Sequence, residues 1–189
     1  MPNREEALAL LKEYNDNPAL VQHGQQVEAC MRHFAAKAGE DEEKWAIAGL
    51  LHDLDYEKYP DEHCHKAAEI MRERGYDEEI IRAMMSHAWE ICTDVEPLSP
   101  MEKALYAVDE LSGLVNACVL VRPSKSIMDL EVKSVKKKFK QKSFAAGVDR
   151  EIVKKGAQML GLSLDELIAE VIEAMRARAE EIGVAGPTA

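Results

Sequence analysis

The chain has 189 residues, 47% apolar and 31% charged, with a formal net charge of −11. That length suits one domain with a real core; no apolar run reaches the ~18–20 residues of a membrane span, and the start "MPNREEALALLKEYN" lacks a signal peptide's layout, so the expected location is the cytoplasm. The acidic balance argues against general nucleic-acid binding, and Cys30, Cys64, Cys92 and Cys118, with no CxxC pair, read as reduced packing thiols.

In chain order the pattern is helix after helix, without strand-like alternation, internal repeats or low-complexity linkers. A short helix is expected over 3–14. A second runs from Pro18 to Ala38, with Leu20, Val27, Cys30, Met31 and Phe34 as its apolar stripe and Gly39 as its stop. A third, over about 41–54, carries "WAIAGLLHDL". Pro60 and Asp61 open a fourth, closed by Gly75. Asp77 caps a fifth, "EEIIRAMMSHAWEI". "SPME" at 99–102 is a capping box that starts a long helix stopped by Pro123. "SLDE" at 163–166 is a second box, opening a last helix whose stripe is Leu167, Ile168, Val171, Ile172 and Met175. The fold class is all-α, of eight or so helices. The expected organisation is one domain over 1–183, its core about 18–122 followed by a basic and helical extension over 123–183, with 184–189 as a flexible tail.

Ionisable residues fall where apolar ones belong. His23 shares a face with Val27, Cys30 and Phe34. Taken alone it reads as a core histidine bonded to a carbonyl. His87 lies three residues after Met84 and four before Ile91. His63 lies four before Ala67 and seven before Ile70, whereas His65 shares the polar face with Glu69 and Arg72. His33 falls off its helix's stripe. Asp109 lies four after Leu105, beside Val108. With His52 and Asp53 at the end of the third helix, the inward set is His23, His52, Asp53, His63, His87 and Asp109. A core with that many unmatched polar groups would not fold. A divalent metal, or a pair, resolves this: zinc, manganese, iron, nickel or cobalt, with magnesium allowed at one site.

An early His, a His-Asp doublet and a distant Asp on a helical bundle resemble the HD-domain phosphohydrolase superfamily. Here these are His23, His52–Asp53 and Asp109, and "AGLLHDLDYEKYPDEH" looks like the small bacterial members. Some members insert two more histidines and hold two metals; His63 and His87 match them. The resemblance implies an HD-domain helical bundle and a metal-dependent phosphohydrolase that cleaves a phosphoester or phosphoanhydride bond with metal-activated water. The substrate would be a nucleotide or another small phosphorylated molecule. Asp53 would orient the nucleophile, and Asp55 or Glu57 would protonate the leaving oxygen. The lysine that many two-metal members place three residues after the doublet's Asp is Tyr56 here, so the acid–base group and the substrate stay open. Two other readings remain: a di-iron oxygenase of the same superfamily, and a non-catalytic signalling module with a structural metal.

Residues 122–155 hold eleven basic and four acidic side chains, net +7, leaving −18 for the remainder. One reading is a solvated helix with Val132, Val135 and Phe139 packed. The other is a rim that gathers substrate phosphates through Arg122, Lys133 and Lys137. The expected partner is thus a small phosphorylated molecule, with a homodimer allowed and membrane and nucleic acid disfavoured.

Overall fold

The computed structural model describes residues 1–187. Among them are nine α-helices, one 3₁₀ turn and no strand: α1 (Arg4–Tyr14), α2 (Pro18–Ala38), α3 (Glu42–Leu50), the 3₁₀ turn Pro60–Glu62, α4 (His65–Glu73), α5 (Glu78–Ser86), α6 (Pro100–Leu120), α7 (Val132–Phe139), α8 (Arg150–Met159) and α9 (Leu164–Ala177). The fold is all-α, as the periodicity predicts. None of these helices is long and apolar enough to cross a membrane.

The chain divides into two compact units, Met1–Tyr106 and Ala107–Ala189. The division falls within α6, ahead of the boundary near residue 122 drawn from the sequence. In the first unit α3 packs against α2, α1 and α5, and α4 against α5. Leu11, Met31, Ile47, Leu50, Leu51, Leu54, Met71, Ile80, Ile81 and Met84 fill its core. Each such side chain stabilises the fold by about 1.5–3 kcal/mol through loss of water contact. In the second unit α9 packs against α7 and α8 through the buried stripe Leu167, Ile168, Val171, Ile172 and Met175.

Val184 and Ala185, read from the sequence as the start of a loose tail over 184–189, are pinned. Val184 is buried, its carbonyl accepts from Ile127 N–H at 2.8 Å, and Ala185 O accepts from Ser126 Oγ at 2.7 Å. A backbone with buried hydrogen bonds does not fray. Thr188 and Ala189 lie outside the described residues.

Both capping boxes form. At α6, Glu102 N–H donates to Ser99 Oγ at 3.2 Å, and Ser99 N–H donates back to Glu102 Oε2 at 3.2 Å. Glu102 also accepts from Leu98 N–H at 2.7 Å and pairs with Arg82 at 2.5 Å. Burial alone would raise its carboxyl, but the Leu98 and Ser99 N–H groups and Arg82 hold it below its usual 4.5. The stabilisation is therefore full above pH 4.5 and is lost as pH falls through the lower folded value. Glu102→Gln should cost about 1–2 kcal/mol at pH 7. In urea melts the gap from the parent should narrow below pH 4.5; a pH-independent gap would refute this account.

Candidate metal centre

The end of α3 explains why an apolar helix runs into His52 and Asp53. A helix leaves its last carbonyls without intrahelical donors. His52 Nδ1–H donates to one of them, Gly49 O, at 2.7 Å. The end of α5 repeats the device: His87, its C-cap residue, donates from Nδ1 to Met84 O. His63 donates from Nδ1 to Asp55 Oδ1 at 2.7 Å. Spending Nδ1 fixes each ring and leaves Nε2 facing the other way, the usual outer arrangement of metal-binding imidazoles.

The Nε2 atoms converge on Asp53. Its Oδ1 lies 3.5 Å from His63 Nε2 and 3.5 Å from His87 Nε2. Its Oδ2 lies 3.3 Å from His52 Nε2 and 3.9 Å from His23 Nε2, and the two imidazoles approach Nε2 to Nε2 at 3.2 Å. Ligand atoms held ~2.0–2.2 Å from one ion at tetrahedral or octahedral angles are about 3–3.5 Å apart. The measured separations, the 3.9 Å one apart, fall in or near that range. One carboxylate thus serves two pairs of histidines, one on each oxygen. Burial would push Asp53 toward the neutral form, but the charge and hydrogen bonds of His52 and His87 hold it well below the usual carboxylate range. His52, Asp53 and His87 make one group able to hold a cation, and His63, Cys64 and His87 make another.

Four of the five residues arrive on helix ends and turns, not on helix faces. α3 stops at Leu50, so His52 and Asp53 sit in the turns that follow. The fourth helix, expected from Pro60, breaks at Cys64, whose φ is +70°. His63 therefore precedes α4, and Asp55 sets its direction, not helical spacing. Only His23 projects from a helix interior, that of α2. Asp109 is half-buried on α6, three residues past Tyr106, in the second unit. His65 is exposed, as expected, with its Nε2 3.1 Å from Cys92 O.

Two expectations need correction. Asp55, expected as a proton donor, is fully buried with both oxygens engaged, Oδ1 by His63 and Oδ2 by Ala67 N–H at 2.8 Å. Such a carboxylate orients a ring; it does not meet a leaving group. The alternative, Glu57, is exposed and accepts from Asn17 N–H at 3.0 Å. The second correction concerns the basic trio. Arg122 and Lys137 line one hollow of the second unit, but Lys133 does not; it is 83% exposed and pairs with Glu131. Lys138 stands in its place.

The sequence reading also missed Cys64. It is no plain packing thiol: its Sγ lies 4.0 Å from His87 Nδ1. Burial pushes the thiol up, but the charge of His87 and contacts with His63 and His87 bring it down to about 7. Burial lowers His63, which its hydrogen bond to Asp55 and its closeness to Cys64 then raise to about 9. The available signal was position, since Cys64 sits between two histidines. Tyr56, half-exposed, sets its ring edge-on to His63 with centroids 5.3 Å apart.

The chain belongs to the HD-domain family: the HD domain matches residues 20–114, just over half of its length. That span includes His23, His52, Asp53, His63, His87 and Asp109. HD domains bind divalent metals, and the family is typically one of metal-dependent phosphohydrolases. No curated protein and no solved structure matches the chain.

Proposed function

We propose that this protein hydrolyses a phosphoester or phosphoanhydride bond of a nucleotide or small phosphorylated metabolite. The observation that carries this reading is Asp53, ionised and set between two pairs of inward imidazole nitrogens. His23, His52 and Asp53 Oδ2 would hold one divalent cation, with Asp109 as the further acid that the HD pattern implies. His63, His87 and Asp53 Oδ1 would hold a second. The imidazole-rich donor set fits manganese, iron, cobalt, nickel or zinc better than magnesium. A cation there supplies Lewis acidity, making a water more acidic and offsetting charge that builds on phosphorus.

The chain's own part is placement. Gly49 O, Met84 O and Asp55 fix three rings before any ligand arrives, so little ordering is left for the reaction. Asp53, held ionised, would supply negative charge to offset the cations and could accept a hydrogen bond from an attacking water.

Protein purified without chelators should carry a transition metal at one to two equivalents by elemental analysis. It should release phosphate from at least one compound in a panel of nucleotides and sugar phosphates. Chelation should abolish that release, and manganese, cobalt or nickel should restore it. Two irons with oxygen uptake and no phosphate release would replace this reading with the oxygenase. Metal that neither exchanges nor supports turnover would leave a structural centre.

A further inference from the structure

The basic block of the second unit contains a hollow of about 390 Å³. α7 and the residues beyond it supply one wall through Ser134, Lys137, Lys138 and Gln141, and Arg122 stands on the rim. Ser134, Lys137 and Lys138 are spaced i, i+3 and i+4 on α7, neighbours on one helix face, and Gln141 follows just past its end. Every one can donate a hydrogen bond, and the hollow is lined by no carboxylate.

Charge inside the hollow is not balanced locally. Among the described residues, neither Lys137 Nζ nor Ser134 Oγ has a partner. Lys138 lies over the Phe144 ring at 4.7 Å and 3.4 Å from Gln141 Oε1, neither of which is an anion. Arg122 spends Nε and Nη2 on Asp129, so its charge is matched in part. Cys118 lines the hollow as well. Its burial pushes the thiol up to about 11 against the fields of Lys138, Arg122 and Arg150, so it stays neutral. Two ammonium groups thus share a concavity with donors and no anion.

We propose that this hollow binds a small organic phosphate, with its phosphate on Ser134, Lys137 and Lys138 and its body against Val121 and Leu130. The volume exceeds what inorganic phosphate fills and lies within the range of small-molecule sites, roughly 300–1,000 Å³. Val121 is 56% exposed, apolar surface that a ligand's body would cover. The block of lysines is then a built site within a chain whose remainder is −18, not only a solvated face. None of these residues belongs to the metal cluster, so the inference stands apart from the proposed hydrolysis.

Calorimetric titration of AMP into the full chain tests it. Binding should persist in Asp53→Asn with an affinity within twofold of the parent, weaken as salt rises, and exceed that of inorganic phosphate at least tenfold. The pair Lys137→Glu and Lys138→Glu should weaken AMP at least tenfold. Lys133→Glu with Lys140→Glu, an equal charge change outside the hollow, should leave it within twofold. Loss of AMP binding in Asp53→Asn would overturn the proposal by placing the phosphate at the metal cluster. Equal losses in both lysine pairs would reduce it to a general field effect, and no AMP binding by any form would end it.

Discussion

Asp53→Asn should strip the protein of metal and of phosphate release while leaving its helices intact. The two carboxylate oxygens face different histidine pairs, and an amide keeps the volume but alters both sides. One oxygen becomes an NH₂ group, a donor set 3.3–3.5 Å from imidazole nitrogens. The other loses most of its charge. Loss of a partner that merely orients a ligand typically costs 10–100-fold in affinity or activity. Loss of a residue contributing to both sets should exceed that, so turnover should fall more than about 100-fold. Elemental analysis, circular dichroism and phosphate release on one preparation separate the outcomes. Parent metal content together with parent turnover would remove Asp53 from the centre. An unfolded variant is not expected, because Asp53 is 16% exposed and its carbonyl still accepts from Tyr56 N–H at 3.1 Å.

Local signals were the legible part of this fold. The Ser99 and Ser163 boxes, the Gly39 stop and the apolar stripes act within one or two turns, so a single sequence records them. His23 was legible for the same reason. His63 does lie beside Asp53, but the argument from helical spacing fails, since the chain breaks at Cys64 before α4 begins. What places it is Asp55, eight residues back, itself held by Ala67 N–H. No periodicity encodes a carboxylate that must satisfy one ring and one amide across a turn. Asp55 and Glu57 flank Tyr56 in sequence, yet one is buried and the other is exposed and accepts from the N–H of Asn17, just ahead of α2; sequence adjacency does not reveal that difference. Arg122 and Lys133 were named for charge alone. Charge says nothing of the neighbouring carboxylates, Asp129 and Glu131, that the fold sets against them.

Least legible were the glycines that bring the centre's first two ligands together, and Gly24→Ala is the sharpest test of them. A glycine inside a helix costs about 0.5–1 kcal/mol relative to alanine, so its place in α2 needs a compensating contact. A Cβ at Gly24 would stand 2.8 Å from Leu50 O and 2.9 Å from Leu11 Cδ2. Gly49 reciprocates from α3: a Cβ there would meet Met31 Cγ at 2.8 Å and Val27 O at 3.0 Å. The helices cross backbone to backbone, and a carbonyl cannot swing aside as a side chain can. Gly24 adjoins His23, and Leu50 lies two residues before His52. Widening this crossing therefore pulls on the 3.2 Å gap between the two imidazoles. Gly24→Ala should destabilise the fold by about 1–3 kcal/mol, the usual range for overpacking. In a chain of this size that is about 2–4 °C of Tm per kcal/mol. Metal affinity should drop with it, at least several-fold. Gly113→Ala, mid-helix in α6 with nothing within 4 Å of the added Cβ, should instead stabilise by roughly 0.5–1 kcal/mol. Urea melts and metal titrations of both variants decide the matter. If Gly24→Ala melts like Gly113→Ala and binds metal like the parent, the close crossing of α2 and α3 does not set the geometry of His23 and His52.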